Sequence, residues 1–221
     1  MELLLLEKYL QMGEEHTSWS KHTPICPEAF NRYSKEEKIQ IIAEKFRDIM
    51  QTLGLDLEDD SLAGTPYRVA KMYVEEVFAG LDPKNMPKVA LFENKYAYNE
   101  MLIEKNITVH SMCEHHFVPI IGEAHVGYIS SGKVIGLSKI NRIVKYFCKR
   151  PQVQERLTCE IAEHLAQVLE TKDVAVIINA KHYCVAMRGI EDNTSTTITA
   201  VYKGKFEEPF YREQFLRLLN I

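Results

Sequence analysis

The chain has 221 residues, of which 46% are hydrophobic and 26% charged, with 27 Lys and Arg residues against 31 Asp and Glu residues. This composition is typical of a globular protein that buries a substantial core, in one domain or in a domain with a helical extension. A formal charge of −4 gives no overall reason to expect a nucleic-acid partner. The sequence contains no apolar stretch long enough to span a membrane, so we expect no membrane partner either.

The first 60 residues are predicted to form an arm followed by a helix. Residues 12–33 are irregular and contain Gly and Pro, whereas Ser34 and Glu37 match a capping box at a helix start. Apolar residues then recur at three- and four-residue steps, as in an amphipathic helix that Gly54 closes: Ile39, Ile42, Phe46, Ile49 and Leu53. We therefore divide the chain into residues 1–60, the arm and helix, and residues 61–221, the main domain.

The main domain begins with a second predicted helix, from Thr65-Pro66 to Gly80. Segments rich in β-branched and aromatic residues follow and predict four strands, at 102–110, 117–129, 174–180 and 194–202. Helical patterns predict three further helices, at 138–149, 153–169 and 209–219. Two strand pairs flanking a helical pair predict an α+β fold, an antiparallel four-stranded sheet with helices on one face. The uncovered face and edges of that sheet predict self-association, without specifying the number of copies.

Five cysteines occur, at Cys26, Cys113, Cys148, Cys159 and Cys184. An odd number, with no basic segment before the short apolar run at the N-terminus, argues against a secreted disulfide framework. We therefore expect a reducing, cytoplasmic location in which thiols are free to bind metal. Cys148 and Cys159 fall in helical patterns and are predicted to be small core residues.

The run Cys113-Glu114-His115-His116, with His182-Tyr183-Cys184 far along the chain, predicts a zinc site. Thiolate and imidazole ligands together favour zinc over magnesium or calcium. Cys113 and His116 are close enough in sequence to reach one ion, and Cys184 would complete the ligand set. Three protein ligands leave one position open, which is where zinc activates water. His115 and His182 would then be bases beside the metal.

The same residues fit two other interpretations. One is a closed structural zinc site with His110, His115 or His182 as a fourth ligand, as in a non-enzymatic interaction module that unfolds without its metal. The other is that no metal binds. The surplus of histidines favours catalysis, because a closed site needs only one of them.

Several basic residues are candidates for binding an anion. The segment from Gly136 opens a helix with Ser138 interpreted as its cap, and Lys139 and Arg142 lie one turn apart near a helix N-terminus that suits phosphate. Arg68 and Lys71 repeat that spacing. Arg188 follows Cys184 by four residues. For each residue alone a solvated surface charge is the commoner explanation, and only convergence near the metal would reverse it.

Glu155 stands in the first turn of a predicted helix. Its local sequence favours an acid that complements the helix dipole over a carboxylate that accepts N–H groups from a guanine edge.

Five blocks of this sequence, in order, resemble the GTP cyclohydrolase I family. They are Gly64-Thr65-Pro66-Tyr67-Arg68-Val69-Ala70-Lys71-Met72, Ser111-Met112-Cys113-Glu114-His115-His116, Gly136-Leu137-Ser138-Lys139-Ile140-Asn141-Arg142, Arg150-Pro151-Gln152-Val153-Gln154-Glu155-Arg156-Leu157 and His182-Tyr183-Cys184-Val185-Ala186-Met187-Arg188-Gly189. Any single block would be a weak signal, whereas five together are specific. The resemblance covers roughly residues 60–220.

The resemblance implies a tunnelling fold, assembled as a toroidal homodecamer of two pentamers with active sites at subunit interfaces. It also implies a zinc-dependent hydrolase that converts GTP and water to 7,8-dihydroneopterin triphosphate and formate, the first step of tetrahydrofolate or other pterin biosynthesis. Another tunnelling-fold enzyme acting on a purine or pterin is the alternative within this class. The paired Cys-Glu-His-His and His-Tyr-Cys blocks argue against that alternative.

The resemblance also implies roles for individual residues. Cys113, His116 and Cys184 would hold zinc, and His115 and His182 would transfer protons. Glu155 and Gln154 would read the guanine edge. The residues implied around the triphosphate, some from a neighbouring subunit, are Ser138, Lys139, Arg142, Arg188, Arg68 and Lys71.

Overall fold

The structure is a computed structural model that describes residues 22–220. The apolar N-terminal run and the first part of the predicted arm lie outside the described residues. Along the described chain, no helix combines the length and apolar character needed to cross a membrane.

The N-terminal part of the described chain forms helices α1 (Pro27–Asn31) and α2 (Lys35–Thr52). The predicted capping box is confirmed: the Glu37 backbone N–H donates to Ser34 Oγ at 3.2 Å, and the Ser34 N–H donates to the Glu37 carboxylate at 2.8 Å. Gly54 follows the helix with φ of +82°, a left-handed conformation that glycine adopts without strain.

The apolar face of α2 is covered only in part. Ile39 and Met50 are buried, whereas Ile49 and Leu53 keep 51% and 73% of their surface exposed. The periodicity therefore predicted the helix correctly, but residues 22–220 do not cover the whole apolar face.

The second predicted helix is interrupted. A short helix α3 (Asp60–Ala63) precedes it. Its predicted span contains α4 (Thr65–Met72), a wider π-helical turn (Tyr73–Val77) and the start of a short 3₁₀ turn at Ala79–Leu81. Another 3₁₀ turn at Pro83–Asn85 follows that span. The interruption has a packing cause near Gly80, whose N–H donates to the Lys149 carbonyl at 2.8 Å. A side chain on Gly80 would collide with the backbone at Tyr146 and Lys149, so the chain must pass close to this neighbouring segment.

Within residues 22–220, five strands form the main sheet, in the order β5-β2-β3-β6-β7. The strands are β1 (Leu91–Glu93), β2 (Met101–Cys113), β3 (Pro119–Ile129), β4 (Lys133–Ile135), β5 (Pro151–Gln152), β6 (Val174–His182) and β7 (Thr197–Lys203). Strands β2, β3, β6 and β7 pair antiparallel, as predicted. The main sheet differs from the predicted four strands by the two-residue β5, which pairs with β2 in parallel. Strands β1 and β4 form a separate antiparallel pair.

Helices α5 (Leu137–Cys148) and α6 (Gln154–Leu169) pack on one face of the sheet in the main hydrophobic core. A short helix α7 (Tyr183–Ala186) follows β6. The closing helix α8 (Pro209–Leu219) packs against the other face, where Phe215 meets Ala175 and Ile177. The sheet with its helical pair confirms the predicted α+β, tunnelling-fold architecture.

Two sequence-based details of the helices were wrong. Gly136, not Ser138, occupies the N-cap position of α5, and no side chain caps that helix. Cys148 is buried as expected, but Cys159 is exposed on α6. Cys159 lies four residues from both Glu155 and Glu163, and residues at that spacing share one helix face, here the polar one.

Candidate metal and active site

The predicted metal ligands lie where strands of the main sheet end. Cys113 is the last residue of β2, His116 lies in the turn before β3, and Cys184 lies in α7 just after β6. Strand β3 pairs with both β2 and β6, which places Ile120 opposite His182. The middle strand therefore brings the two distant cysteine motifs together.

The ligand atoms of Cys113, His116 and Cys184 all lie within 4.8 Å of one another. The Cys113 thiol is 4.0 Å from His116 Nδ1 and 3.8 Å from His115 Nδ1. The turn is held by its own backbone: Cys113 N–H donates to the Val118 carbonyl at 2.8 Å, and Phe117 N–H donates to the Cys113 carbonyl at 2.9 Å. We call this segment, residues 113–118, the metal turn.

The chemistry of this donor set fits zinc. Burial raises the pKa of the Cys184 thiol, and the neighbouring Cys113 raises it further, because two thiolates repel each other in a poorly solvated site. A bound dication would remove that penalty. Burial also lowers the pKa of His116, helped by Arg188 and His115, so the neutral ring has a lone pair to offer. In the described part of the chain the group contains three protein ligands, which leaves room for a non-protein ligand.

His182 is oriented by a buried glutamine. The Gln154 side-chain NH₂ donates to the carbonyls of Ile178 at 3.1 Å and Thr197 at 2.9 Å. Carbonyls only accept, so Gln154 Oε1 must be the atom that faces His182 Nε2 at 2.8 Å. His182 Nε2 therefore carries a proton and donates it, which leaves Nδ1 as the basic nitrogen of the neutral ring. Burial lowers the pKa of His182, and Glu155 opposes that effect.

The Gln154 amide thus has different partners from those that the resemblance implied. It is 1% exposed and its bonds lie inside the protein, whereas Glu155, the next residue, is exposed. A guanine contact by Gln154 stays a prediction that would require the amide to give up these bonds.

Of the residues predicted to surround the triphosphate, Arg188 has a described contact with the metal turn. Its guanidinium lies 2.7 Å from His116 Nε2. Arg68 and Lys71 have partners nearby in sequence: Arg68 donates to the Ser61 carbonyl and Thr65 hydroxyl, and Lys71 lies 3.8 Å from Glu75. Lys139 donates to the distant Lys88 carbonyl at 2.9 Å. Ser138 and Arg142 are exposed on α5.

Sequence reasoning missed one residue at this site, Arg156. Its guanidinium makes two bonds to the Glu114 carboxylate, at 2.6 and 3.2 Å. From the sequence, Arg156 was assigned no role of its own. The signal in the sequence was Glu114, because a carboxylate next to metal ligands usually has a hydrogen-bond partner.

A large cavity of about 1160 Å³ lies beside the metal turn but is distinct from the ligand group. It is bounded by α2, the π-helical turn and Phe117, the residue after His116. The rings of Phe78 and Phe117 meet there with centroids 5.1 Å apart. Cavity size therefore does not identify the reactive site here, whereas the ligand chemistry does.

Thiol and imidazole groups gathered at the strand ends of an α+β sheet define a class of protein, those able to hold a transition metal. Comparison with known proteins identifies the family within that class. A family model described as GTP cyclohydrolase I matches residues 42–220. The chain belongs to the GTP cyclohydrolase I family and is an enzyme of that class.

Curated relatives agree with this assignment. A Flavobacterium johnsoniae protein named GTP cyclohydrolase 1 is 54% identical over 211 residues, covering 96% of this chain and 94% of that protein. An Aeromonas salmonicida protein of the same name is 55% identical over 195 residues, covering 88% of each. The crystal structure of an archaeosine synthase QueF-like protein in the apo form has a TM-score of 0.40 at 16% identity, covering 47% of this chain and 93% of that one. Zinc is the metal of the GTP cyclohydrolase I family, and Cys113, His116 and Cys184 form a group able to hold it.

Proposed function

We propose that this chain converts GTP and water to 7,8-dihydroneopterin triphosphate and formate at the site built around Cys113, His116 and Cys184. The observation that carries the proposal is the meeting of these ligand atoms within 4.8 Å, beside His115, in a chain of this family. When bound, zinc supplies Lewis-acid activation of water near neutral pH.

The two histidines supply the proton transfers. Carbon C8 of guanine is an amidine-like carbon and a poor electrophile, so a proton delivered to N7 makes it easier to attack. His182 exchanges its proton through Nδ1, because Nε2 is held by Gln154 at 2.8 Å. His115 lies in the metal turn, next to the ligands. Opening the imidazole ring, releasing formate and closing the pterin ring need several proton transfers, which is a reason for two such groups.

Binding of the two ends of GTP is assigned to different residues. Glu155, exposed on the first turn of α6, accepts N–H groups from the guanine edge. Arg188, which already lies against His116, makes a charged contact to the triphosphate. Lys139, Arg142, Ser138, Arg68 and Lys71 complete the triphosphate site, some of them from a neighbouring subunit. Because the triphosphate is remote from C8, its binding energy holds the substrate through all the steps.

We propose a toroidal homodecamer with active sites at its interfaces. The exposed apolar residues Ile49 and Leu53 on α2 support association, since a second copy would bury them. Strand β7 ends the main sheet with its outer edge unpaired among the described residues, and Ile198 on it is 63% exposed. The arm and helix of residues 1–60 would extend a catalytic domain of residues 61–221, in a reducing cytoplasm that keeps the metal-binding thiols reduced.

The test is GTP turnover by the purified protein, followed through formate release and pterin absorbance, before and after zinc chelation. Both products should appear, vanish on chelation and return when zinc is added back. Formate without pterin would limit the activity to ring opening and formate release. Neither product from folded, zinc-loaded protein would contradict the proposal.

A further inference from the structure

An ion pair joins the metal turn to the first turn of α6. Arg156 Nη1 lies 2.6 Å from Glu114 Oε2 and Nη2 lies 3.2 Å from Oε1, a two-point contact between residues far apart in sequence. The Arg156 side chain is 7% exposed and the Glu114 side chain is 20% exposed. We call this pair the Glu114–Arg156 clamp.

The clamp lies between two parts of the active site. Glu114 is adjacent to Cys113 and His115, and its Oε1 is 3.9 Å from His115 Nε2. Arg156 follows Gln154 and Glu155, so it shares their helical turn. The distance between His115, on the metal turn, and Glu155, on α6, therefore depends on how the metal turn packs against α6.

We propose that Glu114 and Arg156 are positioning residues: their two-point contact fixes the metal turn, and with it His115, relative to Gln154 and Glu155. The proposal rests on the proposed function for its catalytic consequence. It also has a consequence that requires no turnover, because a turn that is held less firmly releases its metal faster.

Backbone hydrogen bonds already attach the metal turn to the segment that leads into α6. The clamp therefore adds positioning to an attachment that exists without it. Glu114 N–H donates to the Gln152 carbonyl at 3.0 Å, and β2 pairs with β5 through Met112 and Pro151. These bonds fix the backbone of the turn. The clamp adds a restraint on side-chain direction, which a planar guanidinium and carboxylate provide and a single point charge does not.

Stability alone is a weak reason for such a pair. Burying two charges carries a desolvation penalty that the attraction between them roughly offsets, so neutral residues of similar size often serve the fold equally well. Removal of one partner is different, since it leaves the other charge buried without its counter-charge in the clamp. This asymmetry allows positioning to be separated from folding by experiment.

The test compares Glu114→Gln, Arg156→Lys and the double variant Glu114→Gln/Arg156→Met with the wild-type protein at saturating zinc. The matched control is Glu170→Gln, which breaks the Lys133–Glu170 pair at the C-terminal end of α6, where the distances are 2.6 and 2.7 Å. We expect kcat for the three clamp variants to fall roughly 10- to 100-fold, the loss typical of a small misplacement of reacting groups. The KM for GTP should change much less, and Glu170→Gln should keep wild-type kcat.

Two further measurements, zinc release and melting temperature, test the positioning role without relying on turnover alone. Zinc release to a chelator should be about tenfold or more faster in the clamp variants than in the control, without GTP present. The double variant should recover the melting temperature lost in Glu114→Gln, because neither charge of the clamp remains to be buried, yet its kcat should stay low.

Recovery of kcat together with the melting temperature in the double variant would show that the pair only stabilises the fold and would overturn the proposal. Wild-type kcat and wild-type zinc release in Arg156→Lys would overturn it too, because a point charge would then suffice. Absence of turnover in the wild-type protein would refute the proposed function instead, and zinc release would still decide whether the clamp holds the turn.

Discussion

At the scale of single residues, the candidate site depends on which hydrogen-bond partners can only accept. Two backbone carbonyls determine the direction of the Gln154 amide, and the amide determines which nitrogen of His182 holds a proton. Burial and the neighbouring Cys113 raise the pKa of the Cys184 thiol, and a bound cation would favour its thiolate.

Replacement of Cys184 tests the ligand set. Cys184→Ser should abolish stoichiometric zinc and turnover together, because serine oxygen is a poor substitute for a soft thiolate. Metal analysis of the purified variant measures this, with Cys159→Ser as the control, since Cys159 is an exposed thiol outside the ligand group. Full zinc occupancy in Cys184→Ser would contradict the proposed ligand set.

Replacement of Gln154 tests the orientation of His182. Gln154→Leu should lower kcat and reduce the free energy of unfolding by about 1–3 kcal/mol, because the carbonyls of Ile178 and Thr197 lose their donor. Turnover and denaturant unfolding measure the two effects. Thr199→Val is the control: it removes another partner of the Gln154 NH₂, at 3.1 Å, and leaves the bond to His182 intact.

The Thr199→Val control should therefore lose stability with little loss of kcat. Equal kcat in Gln154→Leu and the wild-type protein would show that His182 needs no such support.

At the scale of elements, β2 contains an irregularity that a histidine of β3 supports. The β2–β3 register shifts between Glu104 and Ile107, and Asn106 has φ of 58°. The Asn106 N–H, left without a partner in the ladder, donates to His125 Nδ1 at 3.2 Å. His125 must be neutral at that nitrogen, and burial accordingly lowers its pKa from the ordinary value of 6.5, with smaller opposing and supporting effects of Glu123 and Lys105.

This arrangement predicts a pH-dependent stability. Because the folded chain binds a proton at His125 less readily than the unfolded chain, the contribution is complete above pH 6.5 and is lost as the pH falls toward the folded pKa. The free energy of unfolding should therefore fall more steeply on acidification in the wild-type protein than in His125→Gln. Urea titrations between about pH 7 and pH 5 measure the difference, and identical slopes would show that His125 contributes nothing to it.

At the scale of the whole molecule, the described part of one chain leaves apolar surface uncovered. Ile49 and Leu53 project from α2, whose inner face is buried through Ile39 and Met50. The apolar residues of this amphipathic segment thus lie on two surfaces: one packs inside the chain, and the other is available to another copy.

Placing charge on that surface tests the proposed assembly. The double variant Ile49→Lys/Leu53→Lys should sediment as a smaller species than the wild-type protein and should lose turnover per subunit, because two charges cannot be buried at an apolar interface. Circular dichroism should show the same secondary structure in both. Glu44→Lys, an exposed change elsewhere on α2, should leave the assembly intact.

An unchanged sedimentation coefficient in the Ile49→Lys/Leu53→Lys variant would show that this face is not an interface. A monomeric wild-type protein would refute the homodecamer itself.

The sequence by itself determined the helices and strands and the residue types available to bind a metal. Local patterns predicted α2 with its capping box, the four antiparallel strands and the closing helix at 209–219, because hydrophobic period and capping are short-range properties. A group able to hold a metal was predictable as well, because thiols and an imidazole brought together suit zinc, and Cys113, His116 and Cys184 do lie together.

Only the tertiary structure decided how these parts face one another. The exposure of Cys159, the interruption of the helix before Gly80, the burial of Gln154 behind His182 and the pairing of Arg156 with Glu114 all depend on contacts between residues distant in the chain. A local pattern reports the period of an element but not which neighbour its side chains meet. The middle strand β3, which pairs with both β2 and β6, is the physical reason that the two halves of the site become one.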